Sequence, residues 1–158
     1  SIAKALGAKE ICCTSSQEEF CKKLGATKVV NYRNAKWEEV LKGENFDVIY
    51  DCVGGVNSWN NAPKVLKKNG NYVTIVGDVE HGAGMEISAL VKAGASMVSR
   101  KFWSLFDNPN YYHILMDNKK GLKDLLKMLS LGTIKIIVDE ESPYNLNNIK
   151  DMLNKSIQ

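Results

Sequence analysis

The sequence predicts an α/β domain with a doubly wound parallel sheet, similar to a Rossmann fold. Strand-like and helical segments alternate along its 158 residues, and such alternation is typical of βαβ crossovers. The strand candidates are continuous apolar runs such as Tyr72–Val76, which is the character of strands covered by helices on both faces. A joint from helix to strand, centred on a glycine, also recurs along the chain.

The recurring joint supports this alternation. Ala3–Ile11 resembles Cys21–Val29, and Val91–Val98 is a weaker copy. In each copy a helix ends, a glycine follows, and a strand rich in β-branched residues begins. Glycine adopts a positive φ there without a clash of a Cβ atom. We therefore expect a helix to end before each of these glycines, the last of which is Gly94.

The remaining elements follow from apolar runs and from helical periodicity. The leucines at 122, 125, 126 and 129 have the spacing of one apolar helix face. The expected strands are Glu10–Thr14, Lys28–Asn31, Phe46–Cys52, Asn71–Val76, Ser96–Lys101 and Ile134–Val138. The expected helices are Gln17–Leu24, Lys36–Lys42, Ser58–Lys67, Ile87–Ala93, Gly121–Leu131 and Asn147–Lys155.

The composition excludes several classes of protein. With 44% hydrophobic and 25% charged residues, the chain is an ordinary globular protein rather than a disordered or collagen-like one. A net charge of +3 is too small and scattered to indicate a nucleic-acid partner. No apolar run is long enough for a transmembrane helix. The four cysteines lack metal-ligand spacing, so we expect structural or free thiols and no metal site in this chain; they are Cys12, Cys13, Cys21 and Cys52.

Ligands of an open parallel sheet bind beyond the carboxyl ends of its strands, and candidate residues are sought there. The first predicted strand ends in the small hydroxylic residues Thr14, Ser15 and Ser16. An Asp or Glu at this position accepts hydrogen bonds from a ribose 2′-hydroxyl, but would repel a 2′-phosphate. The missing carboxylate favours NADP(H). The alternative is that these hydroxyl groups only cap the next helix.

Other strand ends carry further candidates. Tyr32 and Arg33 follow the second strand and suit an adenine ring and a phosphate, and the alternative is an exposed polar turn. The strand Phe46–Cys52 runs into Gly54 and its neighbouring glycine, which permit a ligand to approach the backbone closely. We expect Asp51 at this strand end to form structural hydrogen bonds rather than to act as a catalyst.

The last two predicted strand ends are treated in the same way. Gly77 follows the fourth strand, and Phe102 with Trp103 follows the predicted strand Ser96–Lys101. These aromatic residues either pack beside a cofactor or contact a partner, because an edge strand must be covered.

Several catalytic motifs are missing. No GxGxxG or Walker A sequence occurs. His81 and His113 have no evident orienting partner, so they are not expected to be catalytic.

Five segments follow the spacing of a known family. They are Ile2–Ala8, Lys23–Ala26, Val30–Tyr32, Phe46–Gly55 and Asn71–Gly77. Together they resemble the cofactor domain of the medium-chain dehydrogenase/reductase superfamily. The branch is similar to the quinone oxidoreductases and the zinc-type alcohol dehydrogenase-like proteins, including the mitochondrial reticulon-interacting oxidoreductases.

The resemblance implies an oxidoreductase that reduces a small hydrophobic quinone, enone or carbonyl compound with hydride from NADPH, or alternatively from NADH. It assigns no catalytic role to a particular residue of this chain. Where some members carry a basic residue, this chain has Gln17. The implied cofactor-binding residues are Thr14, Ser15, Tyr32, Cys52, Val53, Gly54, Ile75, Val76, Gly77, Phe102 and Trp103.

The resemblance also implies that residues 1–158 are a partial cofactor domain of a larger two-domain reductase. The family's first strand and glycine-rich turn would precede Ser1, and its closing strand would follow Gln158. We therefore expect no appreciable turnover from this chain alone. The family's first strand is central, between Glu10–Thr14 and Phe46–Cys52. A swapped or external segment is expected to fill that slot.

The alternative function is a catalytically inactive Rossmann-like module that binds a ligand or forms a homodimer through strand Ser96–Lys101. Cofactor affinity would distinguish the two functions. Another doubly wound enzyme, such as a methyltransferase, also fits the pattern of elements. The expected location is intracellular, either cytoplasmic or mitochondrial.

Overall fold

Strands and helices alternate along the chain, as the pattern of apolar runs and glycines predicts. The computed structural model describes residues 1–76, 87–103, 109–114, 119–138, 148–151 and 153. In this part the strands are β1 (Cys12–Thr14), β2 (Lys28–Val30), β3 (Phe46–Asp51), β4 (Leu66–Thr74) and β5 (Asn110–His113). The helices are α1 (Ile2–Ala5), α2 (Glu18–Lys23), α3 (Trp37–Val40), α4 (Val56–Asn61), α5 (Ile87–Trp103) and α6 (Lys119–Ser130), with a 3₁₀ turn at Ala62–Lys64.

Every strand pair in the described ranges is parallel. β1 pairs with β2, while β4 lies between β3 and β5 in a second sheet. The register of this sheet places Asp51, Thr74 and His113 side by side at the carboxyl ends of its strands. Parallel strands require crossover connections, so the structure confirms the predicted doubly wound class.

The interior consists of two adjoining clusters of buried side chains. The first contains Ala62, Leu66, Tyr72 and Tyr111, and the second contains Val30, Leu41 and Val65. Phe46 and Ile49 of β3 pack against both clusters. Because β3 joins them, the two sheets share one contiguous core, which holds the strand ends in fixed relative positions.

Two of the three predicted glycine joints are confirmed. Gly7 has a φ of +86° and Gly25 a φ of +104°, and each follows a short helix. The third joint is wrong, because Gly94 lies inside the 17-residue helix α5. Its neighbours Met97 and Arg100 are three residues apart, so helical spacing puts both on one face. Met97 packs against the first core cluster, and the Arg100 guanidinium lies 5.3 Å from the Tyr111 ring centroid.

The predicted strand Ser96–Lys101 is therefore wrong, and with it the edge that would pair two copies of the chain. In a helix of this length the backbone N–H groups bond within the helix, and they are not presented to a neighbouring strand. The sequence of this segment mixes good helix formers with β-branched residues, and tertiary packing decides between the two states.

Three other elements differ from expectation. β5 was not predicted, because its end residues Asn110 and His113 are polar. Its Tyr111 is nevertheless buried. Ile134–Val138 forms no strand, and among these residues only Ile134 is buried. The helix predicted to reach Lys67 ends earlier, because Pro63 has no N–H for an α-helical bond. β4 accordingly starts at Leu66 and contains a register shift before Asn71.

β1 and β3 do not pair with each other in the described residues, and each is bonded to a strand along one edge. Direct pairing of β1 with β3 would have contradicted the expectation that a further strand lies between them. The segment expected to fill this slot stays a prediction. None of the described helices is long and apolar enough to cross a bilayer.

Alanine substitutions at Gly25 and Gly94 distinguish a glycine at a helix-to-strand joint from a glycine inside a helix. Gly25→Ala is expected to destabilise the protein by about 1–2 kcal/mol, because an L-residue is strained at positive φ. The new Cβ would also meet the Lys4 Cδ atom at 2.9 Å. Gly94→Ala is expected to stabilise it by up to about 1 kcal/mol, because alanine favours a helix interior. Nothing lies within 4 Å of a Cβ atom at Gly94. Urea unfolding measures both, and a destabilising Gly94→Ala would contradict a continuous α5.

Candidate functional site

Asp51 organises the turn that follows β3. Its side chain is buried, and its Oδ1 atom accepts hydrogen bonds from Val53 N at 3.0 Å and Gly54 N at 2.9 Å. Its Oδ2 atom accepts a hydrogen bond from the Tyr72 hydroxyl at 2.5 Å. The carboxylate therefore fastens the turn to β4, which confirms the structural role predicted for Asp51.

Tyr72 is the residue of this arrangement that the sequence did not single out. Its side chain is 2% exposed. Burial, followed by the hydrogen bond to Asp51, raises the pKa of the Tyr72 hydroxyl above its usual range. The hydroxyl therefore stays protonated and donates at neutral pH. A tyrosine inside a predicted buried strand needs a partner for its hydroxyl, and this need was the signal that the sequence offered.

The turn itself is open to a ligand. Gly54 and Gly55 have φ values of +83° and +92°, and a Cβ atom built on Gly55 would meet nothing within 4 Å. Cys52 and Val53, directly before the glycines, are exposed. A small molecule can therefore reach the backbone of this turn, as the sequence predicted.

The end of β4 lies beside this turn. Thr74 is opposite Asp51 in the sheet register, and its Oγ1 atom accepts a hydrogen bond from Val76 N at 3.2 Å. The following Ile75 is 50% exposed and donates its N–H to the Asp51 carbonyl at 3.2 Å. Exposed apolar side chains thus follow both strands at the same edge of the sheet. Gly77 lies outside the described residues.

The end of β1 presents hydroxyl groups and no carboxylate. Thr14 is exposed, and Ser15 Oγ accepts a hydrogen bond from Gln17 N at 3.0 Å. Ser15 thus braces the turn, while the residue at the N-cap of α2 is Gln17. Glu18, the first acidic residue after the strand, pairs with Lys22 at 2.7 Å within α2. Among the described residues at the end of β1, Thr14, Ser15, Ser16 and Gln17 carry no carboxylate.

The end of β2 is a polar turn. Asn31 Oδ1 accepts a hydrogen bond from Arg33 N at 3.0 Å, and Tyr32 between them is 56% exposed. Exposure fits the alternative of a solvated turn and also leaves the Tyr32 ring accessible.

The two aromatic candidates on α5 are not at a strand end. Phe102 and Trp103 lie in the last turn of the helix, and Phe102 is 55% exposed. The side chain of Trp103 lies outside the described residues. The strand geometry that motivated their assignment is absent, because residues 87–103 form a helix.

The fold and these strand ends define a Rossmann-type α/β domain with an open edge at the carboxyl ends of its parallel strands. The sequence profile of the zinc-binding dehydrogenase family matches residues 1–118. The chain belongs to this family, and through it to the medium-chain dehydrogenase/reductase superfamily.

Two curated proteins are similar to most of this chain. Human NAD(P)H oxidoreductase RTN4IP1, mitochondrial, is 28% identical over 142 residues, which are 84% of this chain and 35% of the human protein. A Leishmania amazonensis protein assigned as a quinone oxidoreductase is 24% identical over 148 residues, 89% of this chain and 42% of that protein.

A solved structure shares the fold. It is a Sinorhizobium meliloti 1021 protein, assigned as a zinc-binding dehydrogenase and solved with NADP bound. It superposes with a TM-score of 0.62 at 19% identity, covering 85% of this chain and 38% of that one. This chain spans about two fifths or less of the length of the curated relatives named above.

The family name and the NADP-bound structure raise two groups, a dinucleotide and a zinc ion, and the described residues fit the dinucleotide. A glycine turn and exposed apolar side chains at the ends of β3 and β4, with hydroxyl groups at the end of β1, suit a dinucleotide. For zinc, the described part of the chain contains no group of three or more His, Cys, Asp or Glu side chains that could hold the ion. We assign no zinc ligand to these residues.

Proposed function

We propose that this chain is the cofactor-binding part of an NADPH-dependent oxidoreductase that reduces a quinone, an enone or another carbonyl compound. The observation that carries this proposal is the glycine turn after β3, which is fixed by Asp51, open at Gly55 and flanked by the exposed Val53 and Ile75. The names of the human and Leishmania relatives and the NADP bound to the Sinorhizobium protein support it.

The adenosine end of the cofactor would lie at β1 and β2. Thr14 and Ser15 offer hydroxyl groups without a carboxylate, so a 2′-phosphate meets no like charge there. The exposed ring of Tyr32 is available to the adenine or to the phosphate edge. These features favour NADPH, and NADH is the alternative.

The nicotinamide end would lie at β3 and β4. Cys52, Val53 and Gly54 would line the ribose side, while Ile75 and Val76 would back the ring. The cofactor supplies hydride transfer, and the protein supplies binding and orientation. The role of this part of the chain is therefore to position the dinucleotide, with Asp51 and Tyr72 holding the turn that contacts it.

The substrate and the location are proposed from the relatives alone. The assignment of the Leishmania protein favours a quinone, and the name of the human relative favours mitochondria over the cytoplasm. We still expect no appreciable turnover from residues 1–158 alone. Oxidation of NADPH with phenanthrenequinone would test this, and robust turnover would contradict it.

Replacement of Ser15 tests the choice of cofactor. Ser15→Asp keeps an oxygen that can accept the Gln17 N–H, and it adds a negative charge beside the proposed 2′-phosphate. We expect NADPH to bind about tenfold more weakly or worse, because like charges at a binding interface cost several kcal/mol. NADH should bind as well as before or better. Titrations that follow the fluorescence of each cofactor measure both affinities.

Ser15→Asn is the matched control, since it retains the hydrogen-bond acceptor without the charge. It should leave the ratio of NADPH to NADH affinity nearly unchanged. Equal loss of both cofactors in Ser15→Asp would contradict the placement of the 2′-phosphate at β1.

A further inference from the structure

Helix α6 has an apolar face that the described part of the protein leaves uncovered. Its leucines recur at the spacing of one helix face, and all of them are exposed to solvent; they are Leu122, Leu125, Leu126 and Leu129. Leu122 is 61% and Leu126 56% exposed. No other described helix or strand packs extensively against α6. The leucine face of α6, defined by these four residues, is therefore a surface of the described structure.

Lysines lie along one flank of the leucine face. Lys123 and Lys127 are exposed, and each directly follows a leucine, which puts it about 100° further around the helix axis. Neither takes part in an ion pair among the described residues. Asp124, the only acidic residue of α6, is about 200° from Leu122 and so lies away from the leucine face. The positive charges of this lysine flank are therefore available to a partner.

The first turn of α6 adds to this charge. It contains Lys119 and Lys120 and no acidic residue. Positive charge at a helix N-terminus opposes the helix dipole and lowers the stability of the helix. Lysines at these positions therefore do not serve the fold, and a negatively charged partner would offset their unfavourable interaction with the dipole.

We propose that α6 lies flat on an anionic phospholipid surface. The leucine face would enter the boundary between headgroups and acyl chains, while Lys123 and Lys127 would extend to the lipid phosphates, as lysine side chains do at membrane interfaces. With 12 residues, α6 is too short to cross the bilayer, so the association is peripheral and reversible. A second copy of the chain fits less well, because it would bring the same positive charges to the contact, whereas anionic lipids neutralise them.

Co-sedimentation with lipid vesicles tests the proposal without any cofactor. The protein is mixed with vesicles of phosphatidylcholine and phosphatidylglycerol, and in parallel with vesicles of phosphatidylcholine alone. We expect binding to the anionic vesicles to be at least about tenfold stronger, because each lysine near an anionic surface contributes roughly a fivefold factor. Salt at about 0.5 M should weaken it, since salt screens exposed charges. Equal binding to both kinds of vesicle, or none to the anionic ones, would overturn the proposal.

Substitution of a leucine tests the apolar contact. Leu126→Asp places a charge in the leucine face, and we expect it to weaken binding to anionic vesicles at least about tenfold, because a carboxylate must stay hydrated. Leu6→Asp is the matched control, since Leu6 is 73% exposed, lies outside α6 and gives the same change of net charge. Both leucines are exposed, so neither variant should unfold, which circular dichroism checks. Equal binding by the two variants would contradict the role of the leucine face.

The lysine flank is tested by replacing Lys123 and Lys127 together with glutamine. We expect this variant to lose about tenfold or more in affinity for the anionic vesicles. A variant with Lys9→Gln and Lys42→Gln, which are exposed and lie outside α6, should keep its affinity. Equal losses in both variants would mean attraction by net charge alone and would overturn the role of α6. Light scattering after size-exclusion chromatography tests the second copy: a dimer that Leu126→Asp dissociates would assign the leucine face to that contact and overturn the proposal.

Discussion

Replacing Asp51 with alanine is expected to lower the free energy of unfolding by about 3–5 kcal/mol, because it removes the acceptor of the buried Tyr72 hydroxyl and of two part-buried backbone N–H groups. The Val53 and Gly54 N–H groups and the Tyr72 hydroxyl all donate to this carboxylate. Truncation leaves these three donors without the acceptor that the fold provides. Chemical unfolding in urea, followed by circular dichroism, gives the change.

Tyr72→Phe is the matched control for Asp51→Ala. It removes one of the three bonds and leaves the turn with its two backbone bonds, so we expect a loss of about 1–3 kcal/mol. NADPH binding should weaken much more in Asp51→Ala than in Tyr72→Phe, since only the first releases the turn at Gly54. An Asp51→Ala protein that is destabilised by less than Tyr72→Phe would contradict this arrangement.

The second large effect is expected at Trp59, a half-buried aromatic residue that packs against the first core cluster. Its ring meets Tyr72 edge-on at 5.2 Å and Tyr111 at 5.1 Å. The Arg100 guanidinium lies 5.3 Å from its centroid. Trp59→Ala removes these contacts and leaves a cavity, so we expect a loss of about 3–5 kcal/mol. Thermal and urea unfolding measure it.

Trp59→Phe keeps an aromatic ring in the same place and should recover more than half of that loss. Because Arg100 and Met97 dock α5 on this cluster, the helix should also loosen in Trp59→Ala. Amide hydrogen exchange along α5 reports this loosening. Unchanged exchange rates in α5, together with a small change in stability, would contradict the packing described for Trp59.

Local features of the sequence were sufficient to predict much of the fold. The joints at Gly7 and Gly25 were predictable because a positive φ after a helix selects glycine on local grounds. β3 was predictable because a buried parallel strand is a continuous apolar run. In each case the signal and the structure lie within a few residues of each other.

The wrong predictions concern segments whose state depends on distant contacts. Around Met97 and Arg100 the sequence suits a helix or a strand, and packing against Trp59 and Tyr111 decides for the helix. β5 is recognisable only through its pairing with β4, which lies far away in the sequence. Local periodicity does not contain that information.

The residues of the candidate site also fall into those that the local sequence predicts and those that depend on distant contacts. Asp51 and Gly54 were predictable because a carboxylate and glycines directly follow a buried strand. Phe102 was placed at a strand end that does not exist. Tyr72 was missed because its hydroxyl acts on a residue of the neighbouring strand, and only the register between β3 and β4 shows this contact.

The most direct test of the cofactor site is protection of Cys52 from alkylation. This free thiol is exposed beside the open glycine turn, while Cys12 packs against the core and serves as an internal reference in the same digest. Iodoacetamide labelling is followed by mass spectrometry in the presence and absence of saturating NADPH. We expect NADPH to slow the labelling of Cys52 at least severalfold and to leave the labelling of Cys12 unchanged. Equal labelling of Cys52 with and without NADPH, in protein that binds the cofactor, would contradict a dinucleotide site at the end of β3.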